Sequence, residues 1–185
     1  MKVALCHLEL SNGPEQKNIE LLEKAVRIAA EKGANWVITP ETAVQGEYFY
    51  KLEPETKVDK QPSSKLSFLL SLVKDYGLFL FLGCGEYDSE LNCNFNSCIV
   101  FEPSGEICGR HRKIISHGIG AEAWARTADV LKPIDCLNIK VGVLVCADAW
   151  YSEHAKKMQK KGAQIIIDIA CLLYTSPSPR DTERS

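Results

Sequence analysis

The chain has 185 residues, 45% of them hydrophobic and 25% charged, with 22 Lys and Arg against 24 Asp and Glu for a formal net charge of -2. That length holds one domain with a real core, and the composition excludes a disordered or fibrous chain. The near balance of charge, with basic residues spread along the sequence, leaves no electrostatic footprint for a nucleic acid or an anionic membrane.

Met1-Lys2-Val3-Ala4-Leu5 enters a strand pattern directly, without the apolar core and cleavage site of a signal peptide, and no segment reaches transmembrane length. The expected compartment is therefore the cytoplasm. Residues 3–10 read as a first strand closed by Ser11-Asn12-Gly13-Pro14. Asn18 is expected to open a helix to Lys32, with Leu21, Leu22, Ala25, Ile28 and Ala29 on one face and Gly33 at its end. Residues 36–39 form a second strand stopped by Pro40-Glu41, giving a βαβ unit with parallel neighbours. A carboxylate in the place of Glu41 either caps the next turn, meets solvent, or faces a site at the sheet edge. Residues 43–60 read as a polar and aromatic loop, in which Tyr48 and its neighbours wall a pocket or simply pack.

A second helix is expected over 63–76, stopped by Gly77, and a buried third strand over 78–84. Residues 95–101 and 106–113 flank Glu102-Pro103-Ser104-Gly105 as an antiparallel hairpin, so the sheet is mixed. The hairpin ends on Gly109-Arg110-His111-Arg112-Lys113, which reads as a solvated basic edge unless alternation turns one face inward. Alternation does set His111 and Lys113 on one face and Arg112 on the other. Residues 116–133, with Gly118, Gly120, Glu122, Trp124 and Arg126, are too long for a mere connection and suit a binding loop.

The run over 137–145 is apolar and rich in β-branched residues, and it ends on Cys146-Ala147-Asp148 just before a helical pattern over 152–161. Cys146 thus falls in a strand-to-helix turn, the geometry of a nucleophile elbow, with the Ala147 N–H available to a developing oxyanion. Taken alone, a cysteine ending a core strand is as readily packing. Residues 164–170 complete a further βα β step. None of the eight cysteines forms a CxxC pair and most lie in or beside apolar runs, so reduced thiols are expected and a metal site is not.

The carboxylate of Pro40-Glu41-Thr42, the lysine ending Gly109-Arg110-His111-Arg112-Lys113 and the cysteine of Val145-Cys146-Ala147-Asp148-Ala149-Trp150, in that order, resemble the nitrilase superfamily of carbon–nitrogen hydrolases. The resemblance runs from Met1 to about Ala170. It implies an α/β fold, an αββα sandwich of two mixed sheets with outer helices formed as subunits pair, and a catalytic set of Glu41, Lys113 and Cys146. Glu122 resembles the family's second glutamate, and Ala147, Tyr48, Trp124 and Trp150 are the implied oxyanion and substrate contacts. The implied reaction is hydrolysis of a non-peptide C–N bond in a small-molecule amide, carbamoyl or nitrile substrate, with no cofactor or metal, by a homo-oligomer when full length. A carboxylate base, a cysteine nucleophile and an ammonium are the groups such chemistry needs.

Two features depart from the family pattern. Ser152 stands where a proline often does, and Asp168 lies where a proline is often near, which leaves the substrate branch open; Asp148, Trp150 and Tyr151 resemble the amidase and carbamoylase branches. Residues 1–170 read as a partial carbon–nitrogen hydrolase domain, and 171–185 as a non-native tail resembling translated sequencing adapter, so the chain is expected to be C-terminally truncated and in that form inactive. The alternatives are an inert interaction or dimerisation module on the same scaffold, and a glutaminase-type domain supplying ammonia.

Overall fold

The computed structural model describes residues 1–116 and 118–171, so the expected tail lies, apart from Cys171, outside the described residues. A five-stranded sheet has the order β1 (Val3–Leu5), β2 (Trp36–Ile38), β3 (Phe79–Asp88), β4 (Cys93–Phe101), β5 (Ile107–Arg112), parallel over the first three strands and antiparallel after them. A second sheet has the order β6 (Ile134–Cys136), β7 (Ile139–Val145), β8 (Ile165–Ile169), with β6 antiparallel and β8 parallel to β7.

Period-two alternation in β3 explains how the layers stack. Leu80, Leu82 and Cys84 point to α1 (Glu15–Glu31) and α3 (Ser67–Tyr76) and join Leu22, Val26, Leu69 and Val73 in one core. Phe79 and Phe81 point the other way and meet Val141, Val143, Val145, Ile167 and Ile169 of the second sheet. α4 (Ser152–Lys160) closes the far side, where Met158 packs on Leu144 and Leu131. Each such fully buried aliphatic contributes about 1.5–3 kcal/mol of transfer free energy. The four layers α, β, β, α stand within this one chain, so subunit pairing is not what creates them.

Several boundaries differ from those expected. Helix α1 begins at Glu15, not Asn18, because the Asn18 amide is spent on tertiary bonds: it donates to Ser11 O at 2.7 Å and Val44 O at 3.1 Å and accepts from Ser11 N at 2.7 Å. Strand β1 stops at Leu5 since its partner β2 ends at Ile38, just short of Pro40, which has no N–H to offer. Strand β3 continues past the expected end at residue 84 to Asp88 and pairs with β4 over nine residues. The expected 43–60 loop contains the single turn α2 (Phe49–Leu52), and the three-residue β6 was not visible in sequence. Among the described residues no helix is long and apolar enough to cross a membrane.

Candidate active site

Glu41 leaves the C-terminal end of β2 and is 1% exposed. Its position depends on how closely β3 approaches: a Cβ on Gly83 would lie 2.0 Å from Pro40 O and 2.9 Å from the Glu41 Cα. Gly83 is needed there because any side chain would displace Pro40-Glu41. The Gly83 N–H instead donates to Thr39 Oγ1 at 2.9 Å, which fixes the exit of β2 against β3.

Lys113 follows β5, and its N–H continues the ladder by donating to Asn96 O at 2.8 Å. Its Nζ donates to Glu41 Oε1 at 2.7 Å and to Glu122 Oε1. Asn96 Nδ2 also donates to Glu41 Oε1, at 2.8 Å, while Asn96 Oδ1 has no partner among the described residues. Ser116 Oγ donates to Glu122 Oε2 at 3.3 Å, which ties the 3-10 turn Gly120–Glu122 of the long loop to the lysine. As alternation requires, His111 faces inward beside Cys98, and Arg110 and Arg112 project from the other face, where both pair with Glu86.

Cys146 begins the 3-10 turn Cys146–Trp150 after β7 and has φ of 51°, the left-handed region that L side chains adopt only when the surroundings impose it. Here the imposition comes from Asp148, whose carboxylate accepts from Val145 N at 3.2 Å, Ile114 N at 2.9 Å, Ile115 N at 2.8 Å and His111 Nε2 at 2.8 Å. One side chain thereby joins the end of β7 to the end of β5.

The charges act on one another strongly because water is excluded. Burial pushes the Cys146 thiol up to about 12, helped by the Glu41 charge and by the thiol's hydrogen bond to that carboxylate, while Lys113 pulls the other way. At neutral pH the sulfur therefore holds its proton and offers it to Glu41. Burial works to neutralise the Lys113 ammonium, but Glu41 and the hydrogen bonds to both glutamates outweigh it and raise its pKa, so the lysine stays charged. Glu47 is raised by burial and then by the Glu41 charge. Asp148 is held below the usual carboxylate range: burial opposes this, and His111 with the backbone N–H donors prevails.

Of the residues singled out from sequence, Glu41, Lys113, Glu122 and Cys146 come together. Ala147 is buried directly after the cysteine. Tyr48 lies in the wall of a cleft of about 1000 Å³ beside the cluster, together with Pro40, Glu47, Asp168 and Cys171. Trp124 instead packs edge to face on Phe49 at 5.0 Å, with Val58, and so holds the long loop on α2. Trp150 is 71% exposed at the end of the 3-10 turn. Sequence reading missed Asn96 and the Asp148–His111 pair. Alternation had already put His111 on the face of Lys113, and that was the available signal; Asn96 carried none. Cys171 was taken as tail, yet its N–H donates to Glu41 Oε2 at 3.1 Å.

Fold and cluster together define an αββα sandwich with a buried carboxylate and ammonium and a half-buried thiol at one end of its stacked sheets. A family model described as carbon-nitrogen hydrolase matches residues 2–183, and the chain belongs to that family. It is 30% identical over 161 residues to the omega-amidase NIT2 of Xenopus tropicalis, covering 83% of this chain and 57% of that protein. It is 30% identical over 177 residues to a nitrilase of Pyrococcus abyssi (94% and 66%) and 31% over 179 residues to a citrullinase of Francisella tularensis (90% and 60%). The chain thus spans less than two thirds of the length of these curated relatives. Among solved structures, Nit3 of Saccharomyces cerevisiae, a nitrilase-superfamily member, superposes with a TM-score of 0.82 at 23% identity, covering 94% of this chain and 65% of that one. An amidase from Nesterenkonia sp. AN1 gives 0.84 at 20% identity, covering 95% and 69%. At these identities the structures share the fold.

Proposed function

We propose that the protein hydrolyses a non-peptide C–N bond, in an amide or carbamoyl amide, through a Cys146 acyl-enzyme. The observation that carries the reading is the buried Glu41 carboxylate, which accepts from Lys113 Nζ at 2.7 Å and whose charge acts on the neighbouring Cys146 thiol. The names of the relatives, omega-amidase, nitrilase and citrullinase, lie in the same reaction class. In the Nesterenkonia amidase, a structure of a mutant displays Michael addition of acrylamide at the active site cysteine.

In this mechanism Glu41 takes the thiol proton as Sγ attacks the carbonyl carbon. The carbonyl electron pair moves onto oxygen, where the Lys113 ammonium and the Ala147 N–H meet the negative charge. Collapse breaks the C–N bond, and the leaving ammonia or amine takes the proton from Glu41. A thioester remains on Cys146. Glu41 then accepts a proton from water as the oxygen adds to the thioester, and collapse releases the acid and returns the proton to sulfur. Glu122 holds the ammonium in place throughout. A thiol raised to about 12 fits this sequence, because the proton moves only as the C–S bond forms.

The test is ammonia release from a panel of ω-amides, carbamoyl amino acids and nitriles, with the wild-type chain and Cys146→Ala in parallel. Release that depends on Cys146 supports the reading, and equal release from both proteins overturns it. The reading of an inert scaffold rests on one observation: the Cys171 N–H already occupies Glu41 Oε2. A chain that releases no ammonia from any of these while retaining its fold favours that reading.

A further inference from the structure

The Asp148 carboxylate is fully buried and collects four donors from two sheets. His111 precedes Lys113 by two residues on β5, and the N–H groups of Ile114 and Ile115 follow Lys113 directly. Val145 precedes Cys146. Asp148 therefore brackets the lysine on both sides in sequence and grips the main chain just ahead of the cysteine. Its own carbonyl accepts from His154 Nδ1 at 2.9 Å, so α4 holds the turn from outside. Asp148 thus bonds to the ends of two strands that belong to different sheets.

From this geometry we infer that Asp148 and His111 form a positioning pair that sets the Lys113 ammonium against the Cys146 sulfur. The inference rests on the reading of Cys146 as nucleophile and Lys113 as its electrostatic partner. An asparagine at 148 cannot replace the carboxylate. If its oxygen keeps Ile114 and Ile115, its NH2 faces the Val145 N–H, donor against donor; if it is flipped, the NH2 faces the other two N–H groups. In either case one strand end is released. Once Lys113 drifts, the thiolate loses its nearest positive charge and forms less readily.

The probe is iodoacetamide at fixed pH, with labelling of each cysteine followed by peptide mass spectrometry. Asp148→Asn and His111→Leu are expected to slow Cys146 labelling about tenfold, the effect of one pKa unit on the thiolate fraction. His111→Gln keeps an N–H donor and is expected to recover most of the loss seen in His111→Leu. A purely structural role predicts the opposite sign: loosened packing speeds labelling, above all at Cys84 and Cys98, both 0% exposed in the intact fold. Cys146 labelled at the wild-type rate in His111→Leu, or faster together with Cys84 and Cys98, overturns the inference. His111→Leu keeps this test available even where Asp148→Asn does not fold. Failure of the underlying reading is separate: it appears as ammonia release that is equal in the wild-type chain and in Cys146→Ala, and it overturns the inference with it.

Discussion

The Glu41 carboxylate and the Lys113 ammonium stand 2.7 Å apart across 72 residues of chain, with side chains only 2% and 4% exposed. Removing one member of such a pair costs more than the pair contributes, because the survivor stays buried with its charge. Lys113→Met leaves Glu41 without its cation and is expected to lower stability by about 3–5 kcal/mol. Glu41→Gln is milder, about 1–3 kcal/mol, because Lys113 keeps Glu122. Urea unfolding of the two variants checks the order, and Glu41→Gln proving the more damaging would contradict it.

Glu122 accepts from the Lys113 ammonium and from Ser116 Oγ, so its loss is expected to act through the lysine and to separate two steps. In Glu122→Ala the ammonium is misplaced and turnover falls by roughly 10²-fold, the cost of a small misplacement near reacting groups. Slow acylation of Cys146 persists. Intact-mass spectrometry after substrate exposure checks this: an adduct in Glu122→Ala alongside none in Glu41→Gln is the expected outcome, and wild-type turnover returns Glu122 to the solvated loop.

Acid is expected to act through Asp148. Its carboxyl lies below the ordinary 3.8 in the folded state, with burial opposed and outweighed by the His111 and backbone hydrogen bonds. A depressed folded value means the stabilisation is fully present above that ordinary value and is lost as pH falls through the folded one. The wild-type chain should therefore lose stability below about pH 4, and Asp148→Asn should start less stable and lose less over the same range. Thermal melts at stepped pH check this; parallel curves for the two proteins would remove Asp148 from the account.

Gly83 is expected to tolerate nothing larger. A Cβ there meets the Pro40 carbonyl oxygen at 2.0 Å, and both contact atoms are backbone. Gly83→Ala must push Pro40-Glu41 away from β3, at a cost of about 1–3 kcal/mol as for other overpacked sites. Activity should fall further than stability, since the displaced residue is Glu41. A variant that melts lower but releases ammonia normally would show that the β2 exit can shift without moving the carboxylate.

The core and the positions of Glu41, Lys113 and Cys146 were legible because each rests on a local pattern. Apolar runs marked β2, β3 and β7, and Glu41, Lys113 and Cys146 each stand just past a strand end, where side chains leave the sheet. What was not legible depends on distant partners. Asn18 looks like a helix cap until Ser11 and Val44 claim its amide. The run of β3 past residue 84 depends on Gln45, which packs against Gly85 and accepts from its N–H at 2.7 Å. Asp148 reads as an ordinary turn acid, and only the docking of β5 gives it its donors. Trp124 has the composition of a pocket wall, yet Phe49 takes its ring.

The joint made by Asp148 also bears on the order of folding. Its bond from His111 spans 37 residues, and the Glu41–Lys113 pair spans 72, so neither can close while the chain is only locally organised. The α1, α3 and first-sheet layer can collapse by itself around Leu22, Leu69 and Leu80 and bring Glu41 near Lys113. The Cys146 thiol arrives only when β7 docks. Contacts of such sequence separation are slow to form. The arrival of Cys146 is thus a clock for the last stage of folding, and a chain arrested earlier carries a carboxylate and an ammonium with no sulfur beside them.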